Sequence, residues 1–283
     1  MQEVKGVAST IFDSIFEAAA EYNKPENGDY IGNDGLIYCH KCNTPKQRKQ
    51  IFLGRELIHA CMCKCREEEF DAEQERKKRH ELEMQIERNR STAFPPYSNY
   101  SNAKFDNADM SEQLKQCKRY CEVYPEHYAD SGKGLLLYGD TGAGKSFAAA
   151  CIANCWLDKG LRVIYTTVSR IANKLQSSFE GRNEYLDELN AVSLLVIDDI
   201  RAERHTEFMN ETLFNVIDGR TNAHRPLIVT TNVDISQEEK DITEQRIMSR
   251  LRGACIPIKF DGRDKRQELL YRSYEEDMRI LGG

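Results

Sequence analysis

Leu135-Leu136-Leu137-Tyr138 runs into Gly139-Asp140-Thr141-Gly142-Ala143-Gly144-Lys145-Ser146, and that segment runs into Phe147-Ala148-Ala149-Ala150-Cys151-Ile152. The first block reads as a buried strand, the second as a glycine turn and the third as the start of a helix. Strand and helix must therefore meet across one tight loop, which few folds allow. The spacing Gly139-x4-Gly144-Lys145-Ser146 is that of a phosphate-binding loop of the Walker A kind. Glycines take positive φ and let backbone N–H groups approach a polyphosphate. The helix N-terminus adds unpaired donors and partial positive charge. Gly139, Asp140, Thr141, Gly142, Ala143, Gly144, Lys145, Ser146 and Phe147 form the expected ATP-binding segment. Within it, Lys145 neutralises the outer phosphates and Ser146 helps to hold Mg²⁺.

A chain of 283 residues has room for one large domain or two modest ones, and 40% hydrophobic residues suffice for a core. Its net charge of −6 does not advertise a nucleic-acid binder, although local basic patches can still serve. Met1 to Asn23 carries Glu3, Asp13 and Glu17, unlike a signal peptide, and no apolar stretch is long enough to cross a bilayer. The expectation is a cytoplasmic chain without membrane contact. Its ten cysteines would be reduced, and clustered ones would mean metal.

Five of those cysteines cluster as Cys39, Cys42, Cys61, Cys63 and Cys65. A Cys-x2-Cys knuckle presents two thiolates on one turn, and a second cluster closes a tetrahedral site. A structural zinc ion takes four ligands and five thiolates are at hand, so one of Cys61, Cys63 and Cys65 is surplus, the spacing leaves open which, and His40 and His59 are weaker candidates. Gln50 to Leu53 and Glu56 to His59 flank Gly54-Arg55 as a hairpin on which a zinc ribbon could be built. Residues 1–66 are read as this zinc-binding domain, with an amphipathic helix over Ile11, Phe12, Ile15, Phe16 and Ala19. Residues 67–93, rich in Glu, Lys, Arg and Gln, read as a solvated linker helix ended by Pro95-Pro96. The domain boundary is placed near residue 92.

From residue 94 to 283 strands and helices alternate, the pattern of an α/β fold with a parallel sheet sandwiched by helices. A helix is expected over 110–124, then a strand at 162–167, a helix at 168–179 and a loop at 181–184. A strand at 193–198, a helix at 205–219, a strand at 227–231 and a helix at 243–252 follow. An edge strand at 255–260, marked by Pro257, and a helix at 267–280 close the chain. Leu194-Leu195-Val196-Ile197-Asp198-Asp199 delivers two acids at the end of a buried strand, beside the phosphate loop. Asp198 would hold Mg²⁺, and Asp199 would orient the attacking water. Cys117, Cys121, Cys151 and Cys155 are spaced as small buried side chains on helices.

The order of phosphate loop, Leu-Leu-Val-Ile-Asp198-Asp199, Ile-Val-Thr-Thr-Asn232, Arg246-Ile-Met-Ser-Arg250-Leu and Gly262-Arg-Asp-Lys-Arg266 resembles AAA+ P-loop ATPases. Within them it resembles the DnaC/DnaI replicative helicase loaders and the related IstB transposition helpers, over about residues 94–275. That resemblance implies Asn232 at the sensor 1 position, touching the γ-phosphate or the water. It implies Arg250 as the finger that reaches a neighbouring subunit's ATP, with Arg246 as the alternative, and Arg266 as the sensor 2 arginine. Little chain remains after Asn232, so the final helix would supply a reduced C-terminal lid. The second acid is usually Glu in AAA+ proteins, and Asp199 places its carboxylate about an ångström differently, which can cost roughly a hundredfold in rate.

The resemblance further implies partners. A bacterial or phage-encoded loader would bind a DnaB-type replicative helicase through its zinc domain. It would self-assemble through its AAA+ domains, as a hexamer or spiral on the helicase, and touch single-stranded DNA through the region of Arg170, Lys174 and Arg182. Rival readings are an IstB-type helper binding duplex DNA, and a nucleotide-switched adaptor with negligible turnover.

Overall fold

The computed structural model describes residues 25–26, 28–52, 54–177, 181–200, 206–235, 242–262, 264, 274 and 277–282. Arg266, the amphipathic helix expected near residues 11–19 and most of the closing helix lie outside them. The chain divides into two compact units, 1–81 and 82–283.

In the first unit, β1 (Tyr30–Ile31) pairs antiparallel with β2 (Ile37–Tyr38). The expected hairpin is β3 (Gln47–Phe52) against β4 (Arg55–Ala60), in register from Gln47↔Ala60 to Phe52↔Arg55. Its two-residue connection has Gly54 at φ +77°, the left-handed geometry that such tight turns demand. Helix α1 (Lys64–Ala93) follows.

Helix α1 is not solvated throughout. Up to residue 81 it belongs to the first unit, and from residue 82 it packs into the second. Gln85 and Asn89 donate to the Gly160 carbonyl at 2.7 and 2.9 Å, Arg90 donates to Asn154 at 3.3 Å, and Arg90 also pairs with Asp158. These contacts converge on one backbone carbonyl just past a helix end and on two polar side chains near it, so a segment poor in apolar residues docks through polar contacts.

The second unit is built on a five-stranded parallel sheet in the order β6-β7-β8-β5-β9. Its strands are β5 (Gly134–Gly139), β6 (Val163–Thr167), β7 (Leu194–Asp198), β8 (Leu227–Thr231) and β9 (Cys255–Phe260). Alternate residues of each strand serve opposite faces. Leu135, Leu137, Leu194, Val196 and Ile228 join one core, with α2 (Glu112–His127) and the phosphate-loop helix α3 (Lys145–Leu157). Leu136, Leu195, Ile197, Leu227 and Val229 join the other. There they meet α4 (Val168–Ser177), α5 (Arg182–Ala191), α6 (Glu207–Asn222) and α7 (Ile242–Ala254). Burial on both faces is why these strands read as unbroken apolar runs. Strand β9 lies at the sheet edge, where Pro257 costs no ladder donor.

Two details differ from expectation. A helix, α5, begins within the loop expected at 181–184 and runs on to Ala191, because Leu189 (0% exposed) and Tyr185 anchor an otherwise polar segment on the second core. Helix α2 starts at Glu112, where the Ser111 hydroxyl accepts from the Leu114 N–H, and it runs on past Pro125. Cys117, Cys121 and Cys151 are buried in the first core, and Cys155 packs against it half-buried.

Candidate nucleotide and metal sites

The C-terminal ends of β5, β7 and β8 border a cavity of about 510 Å³, within the range that holds a nucleotide-sized ligand. Thr141 to Phe147 line one side, and Asp199, Thr230 and Asn232 another. Gly139, Gly142 and Gly144 have φ of +122°, +78° and +100°, so the loop needs glycine for conformation as well as for space. A Cβ at Gly139 would overlap the Phe260 carbonyl, and one at Gly142 the Asp264 carboxylate. Gly144 caps α3, whose N-terminus faces the cavity through Lys145 and Ser146. The Lys145 ammonium donates to the Gly139 and Asp140 carbonyls at 2.9 and 2.6 Å. The loop thus holds its cation over the cradle before any phosphate arrives, and the donor set fits a polyphosphate.

The acids stand on the adjacent strand. Asp198 ends β7 and is nearly buried, its carboxylate accepting from the Thr230 hydroxyl at 2.6 Å. Tyr165 donates to the Ser146 carbonyl at 3.3 Å, and burial, then the Asp198 charge, hold its phenol well above the usual range. Asp199 turns off the strand at φ +53°, a left-handed conformation that Asp tolerates better than most residues. Its carboxylate accepts from the Asn232 carboxamide at 3.2 and 3.4 Å. Lys145, Ser146, Asp199 and Asn232 therefore border one cavity, and Asp198, at the end of β7, precedes Asp199 without lining it. Ser146 and Asp198 carry hard oxygen atoms of the kind that Mg²⁺ prefers.

The arginines lie elsewhere. On α7, Arg250 pairs with Asp218 of α6 at 2.8 Å and sits 5.2 Å from the Phe214 ring. Arg246 covers the same ring at 4.6 Å. Neither lines the cavity of its own chain. Lys174 lies 3.8 Å over the Tyr185 ring and 3.8 Å from Glu188, and Arg182 donates to the Leu175 carbonyl at 2.8 Å.

Two residues escaped sequence reasoning. Arg220, wholly buried on α6, donates to the carbonyls of Leu189, Asn190, Val192 and Pro226. Thr230 stands in the Ile-Val-Thr-Thr-Asn232 run, of which only Asn232 had a role assigned. The alternation of β8 would have turned its side chain to the same face as Ile228, which was the available signal.

In the first unit, the thiols of Cys39, Cys42, Cys63 and Cys65 lie within 4.8 Å of one another. Cys61 is outside this group, its thiol directed at the Pro45 carbonyl. The Cys39–Cys65 and Cys63–Cys65 sulfurs are 3.6 and 3.5 Å apart. A tetrahedron of ~2.3 Å zinc–sulfur bonds has edges of about 3.8 Å. The Thr44 hydroxyl and the Cys65 N–H pull the Cys42 thiol down to about 5, whereas its three neighbours push Cys65 up to about 12. Four sulfurs so placed cannot all ionise without a cation between them, and a dication removes that conflict.

The chain is similar to known proteins over most of its second unit. The profile of the IstB-like ATP binding proteins matches residues 66–260. The replicative helicase loader DnaC of Escherichia coli is 27% identical over 193 residues, covering 66% of this chain and 77% of that protein. The loader DnaI of Bacillus subtilis is 28% identical over 183 residues, 58% of each chain. A crystal structure of DnaI superposes with a TM-score of 0.53 at 24% identity, over 62% of this chain and 98% of that one, and it shares the AAA+ sheet flanked by helices. The chain belongs to the IstB-like, DnaC/DnaI family of AAA+ ATPases, and it carries a four-cysteine cluster ahead of the ATPase fold.

Proposed function

We propose that this protein is an ATP-dependent loader of a DnaB-type replicative helicase onto single-stranded DNA. The observation that carries the proposal is the convergence of Lys145, Asp199 and Asn232 on one cavity, in a chain related to DnaC and DnaI. In this reading the loop N–H groups and Lys145 hold the phosphates of ATP. Ser146 and Asp198 would hold Mg²⁺, which would supply charge neutralisation at the γ-phosphoryl oxygens. Asp199 accepts a hydrogen bond from the attacking water and aims it, while Asn232 fixes the carboxylate and reaches toward the γ-phosphate. Arg250 acts on the ATP of a neighbouring copy, so hydrolysis depends on assembly. Arg246 is the alternative finger, and Arg266 contributes as sensor 2. Cys39, Cys42, Cys63 and Cys65 hold a structural zinc that shapes the helicase-gripping module. Arg170, Lys174 and Arg182 lie in the region that faces DNA.

Size-exclusion chromatography with light scattering tests this on the full chain mixed with a replicative helicase, with ATP, with ADP and with Lys145→Ala. A complex that forms with ATP and is released on hydrolysis is expected. No complex with any nucleotide would overturn the loader, and duplex DNA binding would then favour the transposition helper. Complex formation without turnover would leave a nucleotide-switched adaptor.

A further inference from the structure

Strand β8 runs beside β7 in parallel register, Leu195↔Leu227, Val196↔Ile228 and Ile197↔Val229. The ladder stops there, one step short of the acids. From that point a single residue takes over. The Thr230 hydroxyl donates to Asp198 at 2.6 Å and accepts from the Asp199 N–H at 2.7 Å, and the Thr230 carbonyl accepts from the Ile200 N–H at 3.0 Å. One residue, only 1% exposed, thus holds three consecutive residues at the end of the neighbouring strand.

We propose that Thr230 is a positioning residue of the ATPase site, setting the aim of both acids through its one hydroxyl. A hydroxyl has a single hydrogen and two lone pairs. Because the Asp199 N–H can only donate, it takes a lone pair, and the hydrogen is left for Asp198. The bond to Asp198 therefore has a fixed direction. One carboxylate oxygen is held as an acceptor, which fixes the rotation of the group that would hold Mg²⁺. The bond to Asp199 acts on the backbone. It holds the φ of +53° that swings this residue off the strand line and sends its carboxylate to Asn232. Such a sparsely populated conformation persists only where its surroundings over-determine it. Thr230 supplies that constraint from two sides, at the Asp199 N–H and at the Ile200 N–H. Without the hydroxyl, Asp198 regains rotational freedom and Asp199 loses its anchor. Errors of about 1 Å at such a site cost on the order of a hundredfold in rate.

This inference rests on the ATP-hydrolysing reading of the cavity. It is tested in the full chain with Thr230→Val, which keeps the shape and removes the hydroxyl, and with Thr230→Ser, which keeps the hydroxyl. Turnover is measured beside ATP affinity, with and without Mg²⁺, by titration calorimetry. For Thr230→Val, turnover should fall by about 30-fold or more, in line with a misplaced catalytic group. Its metal-free nucleotide affinity should stay within about threefold, and its gain in affinity on adding Mg²⁺ should shrink. Thr230→Ser should recover both properties to within about threefold, a rescue that loss of packing would not give. Should Thr230→Val fail to fold, Thr230→Ser against Thr230→Ala carries the same comparison. Unchanged turnover and Mg²⁺ response in Thr230→Val would overturn the inference and leave the ATPase standing. A folded Thr230→Ser as impaired as Thr230→Val would do the same. A wild-type chain that binds Mg²⁺–ATP without turning it over would sink the hydrolase reading, while the Mg²⁺ response would still decide the role of Thr230. A wild-type chain that binds no nucleotide would overturn both.

Discussion

Asn232, one residue past the end of β8, donates from its carboxamide to the carboxylate of Asp199, one residue past the end of β7, at 3.2 and 3.4 Å. Two neighbouring strand ends are thereby joined at the cavity by side chains, beyond the last paired residues of the ladder. Asp199 can stand there because it adopts φ +53°, which Asp and Asn enter at low cost and longer side chains do not. The usual Glu at this place would add a methylene and pay more for the backbone. Asp199→Asn should therefore fold as well as the wild type while losing about a hundredfold in turnover, the scale of a missing catalytic base. Asn232→Ala should lose a comparable factor. If the pair acts as a unit, the double variant should be little worse than either single one. Steady-state phosphate release on the three variants checks this, and independent, multiplying losses would show that the contact has no catalytic role.

The cysteine cluster makes a sharper discrimination than spacing could. Cys39, Cys42, Cys63 and Cys65 converge, and Cys61 does not. Cys61→Ser should retain one zinc per chain by elemental analysis, whereas Cys42→Ser or Cys63→Ser should lose it. Stripping the metal with a chelator should leave four crowded thiols and destabilise the first unit, seen as a low-temperature transition that zinc restores. Zinc lost from Cys61→Ser would contradict the assignment.

Those two cases mark where the sequence was readable and where it stopped. The phosphate loop, the acid-tipped strand and the parallel sheet were visible because each needs a local pattern. The loop needs glycines at fixed spacing, and doubly buried strands need apolar runs. The surplus cysteine was undecidable, since Cys61, Cys63 and Cys65 differ only in where the chain turns after β4. Helix α5 was missed because Tyr185, Leu186 and Leu189 anchor a segment of otherwise polar residues. The docking of Gln85, Asn89 and Arg90 was invisible for a similar reason. Their targets are the Gly160 carbonyl and the Asn154 side chain, which leave no apolar stripe to read.

Arg220 shows the same limit inside the core. It reads as an ordinary polar position on α6, yet it is fully buried and holds carbonyls from the end of α5 and from the entry to β8. Burial lowers its pKa to about 9, the cost of keeping a cation among backbone dipoles. Arg220→Met fills similar volume but leaves those carbonyls unpaired, so it should destabilise the second unit by about 1–3 kcal/mol, the cost of stranding buried acceptors. Urea unfolding measures this, and a loss below about 1 kcal/mol would mean that water replaces the guanidinium readily.

Arg250 is poised differently, half exposed on α7, paired with Asp218 and lying over Phe214. A pair of that exposure contributes little to stability, roughly 0–1 kcal/mol, so Arg250→Ala should melt close to the wild type. Its catalytic effect should appear only between copies. Arginine fingers are worth about 10³–10⁵ in rate, and a finger that does not line its own cavity would act on a neighbour's ATP. Arg250→Ala chains should accordingly bind ATP normally and hydrolyse it at the basal rate, even under conditions that assemble the wild type. Lys145→Ala chains should bind ATP poorly and yet keep a working finger. Mixing these two inactive proteins should restore part of the activity, because each mixed interface can pair an intact cavity with an intact arginine. Turnover of the mixture at several ratios, beside Arg246→Ala in place of Arg250→Ala, decides which arginine is the finger. Rescue with one variant and full activity in the other assigns the role, and no rescue with either would mean that neighbouring chains complete the site through another group.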